Sequence, residues 1–286
     1  MGRLDIHKTY KLYIGGKFSR TESGRYYAVN DKKGNLIANM CLSSRKDFRN
    51  AVVAARKAQE AWASVSALNK GQVLYRIAEM LEGRKEQFIA EIVRQGETKS
   101  IAEKEVNIAI DRLVYYAGWS DKYQQLFSAV NPVASSHFNF SSLEPVGVVV
   151  IIAPENQGLL GLVSVIAPAI VGGNTVVVLV SESKPFTAVS FAEVLNSSDV
   201  PGGVVNILTG KAEELQSHMA SHMDVNAMIY CGKNKEIITE INELASNNLK
   251  RTIFYKKNDW LSDTCESPYF IEKTQEVKTI WHPIEA

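Results

Sequence analysis

The stretch Gly147-Val148-Val149-Val150-Ile151-Ile152-Ala153-Pro154 decides the fold. Its five central residues are apolar without alternation, the signature of a strand covered on both faces, and Pro154 ends it. Downstream the same grammar repeats. A helix at 159–171, apolar nearly all round, closes on Gly172-Gly173 despite Pro168, and strands at 175–180, 204–208, 227–231 and 252–255 alternate with helices at 187–195, 212–220 and 236–245. Five strands separated by four helices make a βαβ series. Right-handed crossovers gather such strands into one parallel sheet with helices on both faces, an α/β fold. Sheets of this kind take ligands at the carboxyl ends of their strands, so the loops after Ile152, Val180, Leu208 and Cys231 are where chemistry is sought.

Upstream, residues 12–29 read as short strands joined by tight turns at Gly15-Gly16 and Ser23-Gly24. A helical region follows. Ser44 and Asp47 have the spacing of a capping box, ahead of a helix whose Phe48, Val52, Ala55 and Trp62 share one face. Val73, Ile77, Met80 and Leu81 mark a second helix, Phe88, Ile89, Ile92 and Val93 a third, and Val106, Ala109, Leu113 and Tyr116 a longer fourth. Residues 259–286 have no helical period and hold one candidate strand at 277–281, which needs a partner from elsewhere in the chain.

The chain has 286 residues, enough for a sizeable core, and 45% of them are hydrophobic against 22% charged, which excludes a disordered chain. Lys plus Arg is 32 and Asp plus Glu is 31, so no net field gathers nucleic acid or a membrane surface. Cys41, Cys231 and Cys265 are an odd count without C-x-x-C spacing, which suggests neither a disulfide framework nor a zinc site. A polar start and the absence of a long uncharged apolar run lead us to expect a cytoplasmic protein. The G-x-G-x-x-G and G-x-x-x-x-G-K-[ST] phosphate loops are missing. His218 and His222 have the i, i+4 spacing of metal ligands, but no Glu stands between them in the H-E-x-x-H manner, and we expect no metal. Lys250, Arg251, Lys256 and Lys257 read as a solvated basic face, offset by Glu236, Glu240 and Glu243.

Glu144-Pro145-Val146-Gly147-Val148-Val149, Pro154-Glu155-Asn156, Ala167-Pro168-Ala169 and Gly173-Asn174-Thr175-Val176-Val177 closely resemble the NAD(P)-dependent aldehyde dehydrogenase superfamily. Tyr13-Ile14-Gly15-Gly16, residues 51–62, Arg76-Ile77-Ala78, Gly202-Gly203-Val204-Val205-Asn206 with Thr209-Gly210, and the terminal Lys278-Thr279-Ile280-Trp281 agree in the same order. The resemblance covers residues 10–256 and then the extreme C-terminus. It implies a Rossmann-like cofactor domain (1–131 and 147–258) with an N-terminal helical region, and a small β oligomerisation arm (132–146 and 270–286). Carried over residue by residue, its cofactor site comprises Ile152, Ala153, Pro154, Glu182, Gly210, Gly232 and Lys233.

The departures are as informative. The family's catalytic domain, with its nucleophilic cysteine, has no counterpart between the last sheet strand and the terminal strand, and Tyr255 fills the general-base glutamate position. Asn156 matches the asparagine that holds the oxyanion, which leaves it vestigial and free to cap the helix that follows. Asp263 and Glu266 flank Cys265 and disfavour a thiolate there, so Cys265 reads as a linker cysteine and Cys231 as a small buried hydrophobe. The ribose lysine is Leu179, and loss of one charged hydrogen bond, about 1.5–3 kcal/mol, weakens a dinucleotide roughly tenfold to a hundredfold. Ile237 replaces a glycine of the pyrophosphate turn, so NAD or NADP is expected to bind weakly at most. The chain looks like the nucleophile-lacking second unit of two-domain aldehyde dehydrogenases. That implies a structural or regulatory subunit assembling with itself or with a full-length aldehyde dehydrogenase, the alternatives being an oxidoreductase completed in trans or an NAD-binding sensor.

Overall fold

The computed structural model describes residues 9–31, 34–256 and 258–284, so Lys257 of the basic run lies outside the described residues. Short strands come first: β1 (Thr9–Tyr10), β2 (Leu12–Ile14), β3 (Lys17–Ser19), β4 (Tyr26–Asn30) and β5 (Leu36–Cys41). The β2–β3 turn needs positive φ at both Gly15 (60°) and Gly16 (78°), which is why two glycines stand there. Helices α1 (Arg45–Ala63), α2 (Ala67–Glu82), α3 (Lys85–Arg94), α4 (Lys99–Trp119) and the short α5 (Tyr123–Phe127) follow. The Ser44–Asp47 capping box forms as expected at α1, and Ser66 and Thr98 cap α2 and α4 through their hydroxyls. Val93 does not join the buried face of α3; it is exposed, one residue past Ile92, where the helix turns outward.

The remainder runs β6 (Ala129–Asn131), β7 (His137–Pro145), β8 (Val148–Ile152), α6 (Leu160–Val171), β9 (Thr175–Leu179), α7 (Phe186–Asn196), β10 (Val205–Leu208), α8 (Ala212–Ser221), β11 (Ala227–Tyr230), α9 (Lys235–Ala245), β12 (Arg251–Phe254), α10 (Tyr269–Glu272) and β13 (Gln275–Pro283). The five parallel strands form one sheet, as the apolar runs predict. The sheet is larger than that, however, with order β12-β11-β8-β9-β10-β2-β3, because the β2–β3 hairpin adds antiparallel to β10. Asn206 makes the junction. Its Oδ1 accepts the Gly15 N–H at 2.9 Å while its Nδ2 donates to the carbonyls of Val176 and Gly203.

Alternate residues of each central strand feed different cores. Val149, Ile151, Val176 and Val178 belong to a cluster with α2, α4, α6 and α7, whereas Val148, Val150, Ile152 and Val177 pack with Phe48, Val52, Leu215, Met219 and Ile241 of α1, α8 and α9. Lys250 is not part of a solvated face: it is buried, and its Nζ donates to the carbonyls of Ala220 and His222 at the C-terminal end of α8. That helix ends at Ser221, so His222 stands in extended conformation at its cap with its ring edge-on to Phe48.

After β12 the chain crosses to β13, and residues 258–274 of this connection are held by the first core. Tyr255, Trp260, Cys265, Phe270 and Ile271 belong to the same apolar cluster as α4 and α6. Arg112 of α4 fastens this segment. Its guanidinium is fully buried and donates to Ser164 Oγ (2.6 Å), to the Trp260 carbonyl (2.9 Å) and to the Ser262 carbonyl (3.3 Å), with Glu266 Oε2 3.7 Å from Nε. At the other end, buried Asn174 donates to Thr274 and to the Ala169 carbonyl and accepts from the Gly147 N–H. β13 then pairs antiparallel with β7 from Gln275↔Pro145 to Pro283↔His137, and β6 pairs with the other edge of β7. The strand at 277–281 is thus real, longer at both ends, and its partner contains the His137-Phe138-Asn139-Phe140 block.

Replacing Arg112 with Met strands the buried Trp260 carbonyl and removes the donor to the part-buried Ser262 carbonyl, while Ser164 keeps its bond to the Leu160 carbonyl, at an expected cost of about 2–4 kcal/mol. Urea unfolding should register that loss, and limited proteolysis should cut first within 256–274. A variant as stable and as resistant as the parent would show that the segment does not depend on this clamp.

Candidate functional site

The expected crevice lies at the carboxyl ends of β8, β9, β10 and β11. Ile152 and Ala153 are buried at the end of β8, and the Ala153 N–H extends the ladder to the Leu179 carbonyl at 2.9 Å. Pro154 lies against Gly161, where an added Cβ would come within 2.9 Å of its ring. Asn156 is exposed and does not cap the following helix. The cap comes from α4 instead: the buried Glu105 accepts the N–H groups of Leu159 and Leu160 at 3.0 and 3.3 Å. Burial pushes the Glu105 carboxyl up, against these two bonds, which favour its charge. A donor pair that could face an anion is therefore already engaged.

The loop after β9 is closed in the same way. Leu179 is buried in the apolar cluster with Leu12 and Leu208, so its position faces the core and presents no donor to the crevice. Glu182 is exposed; partial burial raises its pKa, and Glu155, Glu213 and Glu214 add to this while Lys211 opposes it. The carboxylate of Glu155 reaches back into the loop. It accepts from the hydroxyls of Ser181 (2.9 Å) and Ser183 (3.0 Å) and from the backbone N–H groups of Glu182 (3.2 Å) and Ser183 (3.3 Å). The first N–H of α7, at Phe186, is bonded to Gln95 Oε1 at 3.1 Å. What remains between β4 and this loop is a cleft of about 600 Å³ bounded by Tyr27, Val29, Glu155, Glu182 and Ser183, with carboxylates as its charged groups.

At the end of β11 the turn Gly232-Lys233-Asn234 opens α9. The Tyr230 ring lies across Gly232, so that a Cβ there would be 2.4 Å from it. Asn234 caps α9, its Oδ1 accepting from Glu236 (2.9 Å) and Ile237 (3.4 Å), and Ile237 packs onto the second apolar cluster. Lys233 is exposed. Gly210 is buried beneath the residues that leave β5, its Cβ position 3.2 Å from Ser43 N.

Tyr255, where the family resemblance leads us to expect a general base, has surroundings that suit an apolar anchor. It is buried, stacked on Phe270 at 5.0 Å, edge-on to Trp260 at 5.7 Å, and covered by Lys273 Nζ 4.7 Å from the ring centre. Burial drives its hydroxyl far above the ordinary tyrosine range, so it cannot ionise near neutral pH. The Cys231 thiol is likewise pushed up by burial, and Cys265 is buried with Asn258 Nδ2 3.6 Å from its sulfur. Among the described residues neither has a basic partner to activate it. Among the described residues no group of three or more His, Cys, Asp or Glu is placed to hold a metal ion. Among the same residues no helix is long and apolar enough to cross a membrane.

The aldehyde dehydrogenase family model matches residues 18–255. The chain belongs to the aldehyde dehydrogenase family. Mouse cytosolic 10-formyltetrahydrofolate dehydrogenase is 31% identical over 255 residues, which are 87% of this chain and 28% of that protein. PnpE from Pseudomonas sp. WBC-3 superposes with a TM-score of 0.83 at 27% identity, over 88% of this chain and 51% of that one. Betaine aldehyde dehydrogenase of Staphylococcus aureus, solved with NAD+, shares the fold at a TM-score of 0.81 and 24% identity, over 86% of this chain and 49% of that one. The chain thus spans between about a quarter and half the length of these relatives.

The residues present do not fit a dinucleotide held in the way the family resemblance implies. Leu179 offers no charge, the Tyr230 ring lies across Gly232 in the turn that the resemblance assigns to the pyrophosphate, Ile237 packs into the apolar cluster beside it, and the loop donors are bonded to Glu155. Of the residues carried over, Glu182 and Lys233 alone present exposed polar side chains. Calorimetric titration should therefore detect no NAD or NADP binding tighter than about millimolar, around −4 kcal/mol. Micromolar binding abolished by Glu182→Ala would contradict this reading.

Proposed function

We propose that this protein is a non-catalytic subunit of the aldehyde dehydrogenase family, with a structural or regulatory role in an oligomer formed with itself or with a full-length aldehyde dehydrogenase. The observation that carries the reading is Tyr255. The residue where the resemblance places a general base is instead a buried aromatic that anchors residues 256–274, and these lead directly into β13. A glutamate there would have to charge and discharge in contact with solvent and substrate; Tyr255 is sealed by Trp260 and Phe270. Among the described residues the two thiols in this region, Cys231 and Cys265, lack a base, and exposed Asn156 has no nucleophile to serve.

The β arm supports the assembly part of this reading. β13 and β7 form a ladder of nine paired residues, and Val130, Phe138, Val277 and Trp281 are exposed on this arm. The reading places the protein in the cytoplasm, where Cys41, Cys231 and Cys265 would remain reduced, as they stand here.

The purified chain should oxidise no aldehyde and hydrolyse no activated ester above the buffer rate. Both assays should be run with NAD and with NADP. Turnover that disappears on Cys265→Ala would overturn the non-catalytic reading and restore the enzyme.

A further inference from the structure

The geometry points to the outer edge of β13 as a self-complementary interface centred on Thr279, through which two copies of this chain pair strand to strand. The inference rests on the reading above of the protein as an assembling subunit, and adds the surface and its register. β13 is an edge strand among the described residues, eight of its nine residues are exposed or half-exposed, and Val277 and Trp281 are more than half exposed.

The direction of its free backbone groups follows from the ladder with β7. Val146 N–H donates to the Thr274 carbonyl (3.2 Å), and Ile284 N–H donates to the Ser136 carbonyl (3.0 Å). Both pairs lie in the same register as β13 against β7, and in an antiparallel pair hydrogen-bonded positions alternate. Glu276, Lys278, Ile280 and His282 therefore bond inward to β7. Val277, Thr279 and Trp281 turn their N–H and C=O groups outward.

The ends of this outward strip are closed. The Gln275 carbonyl is taken by Arg251, and Pro283 has no N–H to give. Thr279 is the middle of what is left. A twofold axis through it, normal to the sheet, sets Thr279 opposite its own copy and Val277 opposite Trp281 of the other copy, each pair exchanging two backbone hydrogen bonds. The same register sets Glu276 opposite His282 and Lys278 opposite Ile280, so no like charges meet, while Glu276 and Lys278 keep their ion pairs with Arg251 (3.0 Å) and Glu144 (2.9 Å). Registers centred on Val277 or on Trp281 would run off the strip after one pair.

The side chains supply an anchor in this arrangement. Val277 and Leu143 face each other in the ladder and line a groove of about 510 Å³ with Arg251, Ile253, Phe254 and Lys273, beside the edge of β12. Trp281 of the second copy, directly opposite Val277 and on the same face, stands at the mouth of that groove. A large exposed indole placed against Val277 and Leu143 at a groove whose rim also carries Arg251, Lys273 and Glu272 is the kind of residue that dominates an interface.

The test is Thr279→Cys in the full chain, oxidised at micromolar concentration and run on a non-reducing gel, beside Val277→Cys and the parent. Light scattering should show the parent as a dimer or larger. Thr279→Cys should give a disulfide-linked dimer in good yield, and Val277→Cys, which faces Trp281, at least tenfold less. Trp281→Ala, checked for a native circular dichroism spectrum, should raise the dissociation constant at least tenfold. An oligomer that links at position 277 and not at 279, or that is unaffected by Trp281→Ala, would overturn this interface and leave the subunit reading standing. A parent chain that stays monomeric at high concentration and ignores a full-length relative would overturn both.

Discussion

The buried guanidinium of Arg112 is the interaction on which the rest of this structure depends. A charge with no solvent contact is tolerated only where oxygens surround it, and here the oxygens are the Ser164 hydroxyl and the carbonyls of Trp260 and Ser262. Segment and clamp are mutually required. Without residues 258–274, Arg112 would keep only its bond to Ser164; without Arg112, the Trp260 carbonyl would lie unpaired against α4 and α6. The aromatic stack of Tyr255 on Phe270, edge-on to Trp260, closes the same surface with apolar area. From there Asn174 fixes Thr274, and so determines where β13 meets β7.

The same economy governs the carboxyl end of the sheet. An open α/β sheet offers ligands a row of free donors at its helix N-termini and loops. This chain bonds many of those donors to its own side chains: Glu105 to α6, Glu155 and Gln95 to the loop and start of α7, Asn234 to α9. Two of the four are carboxylates, and Glu105 serves a helix terminus as an anionic ligand would. The consequence is a family fold in which these crevice donors are engaged by the chain's own side chains, while β13 is an edge strand of the arm among the described residues.

The sheet was legible because strands covered on both faces must be apolar throughout, and Val148 to Ile152 admits no other reading. The hairpin that extends it was not, since its signal is one amide, Asn206, bonding to a glycine far away in sequence. Capping was legible where it is local, at Ser44 and Asp47, and hidden where it is tertiary. Nothing near Glu105 announces a helix end that begins more than fifty residues later, and Asn156, adjacent to that helix, was the reasonable but wrong expectation. Lys250 sits in a run of basic residues and reads as solvated, yet its position after α8 makes it the donor for that helix's last carbonyls. β13 showed its apolar centre in the sequence; its polar ends are strand because β7 is long enough to pair with them.

Hydrogen exchange followed by mass spectrometry, with and without millimolar NAD, tests the central claim that the chain closes its own crevice. The account predicts that amides of residues 258–274 exchange as slowly as those of β11, and that the nucleotide leaves the loops after β8, β9 and β11 unchanged. Rapid exchange across 258–274, or protection of those loops by NAD, would contradict it.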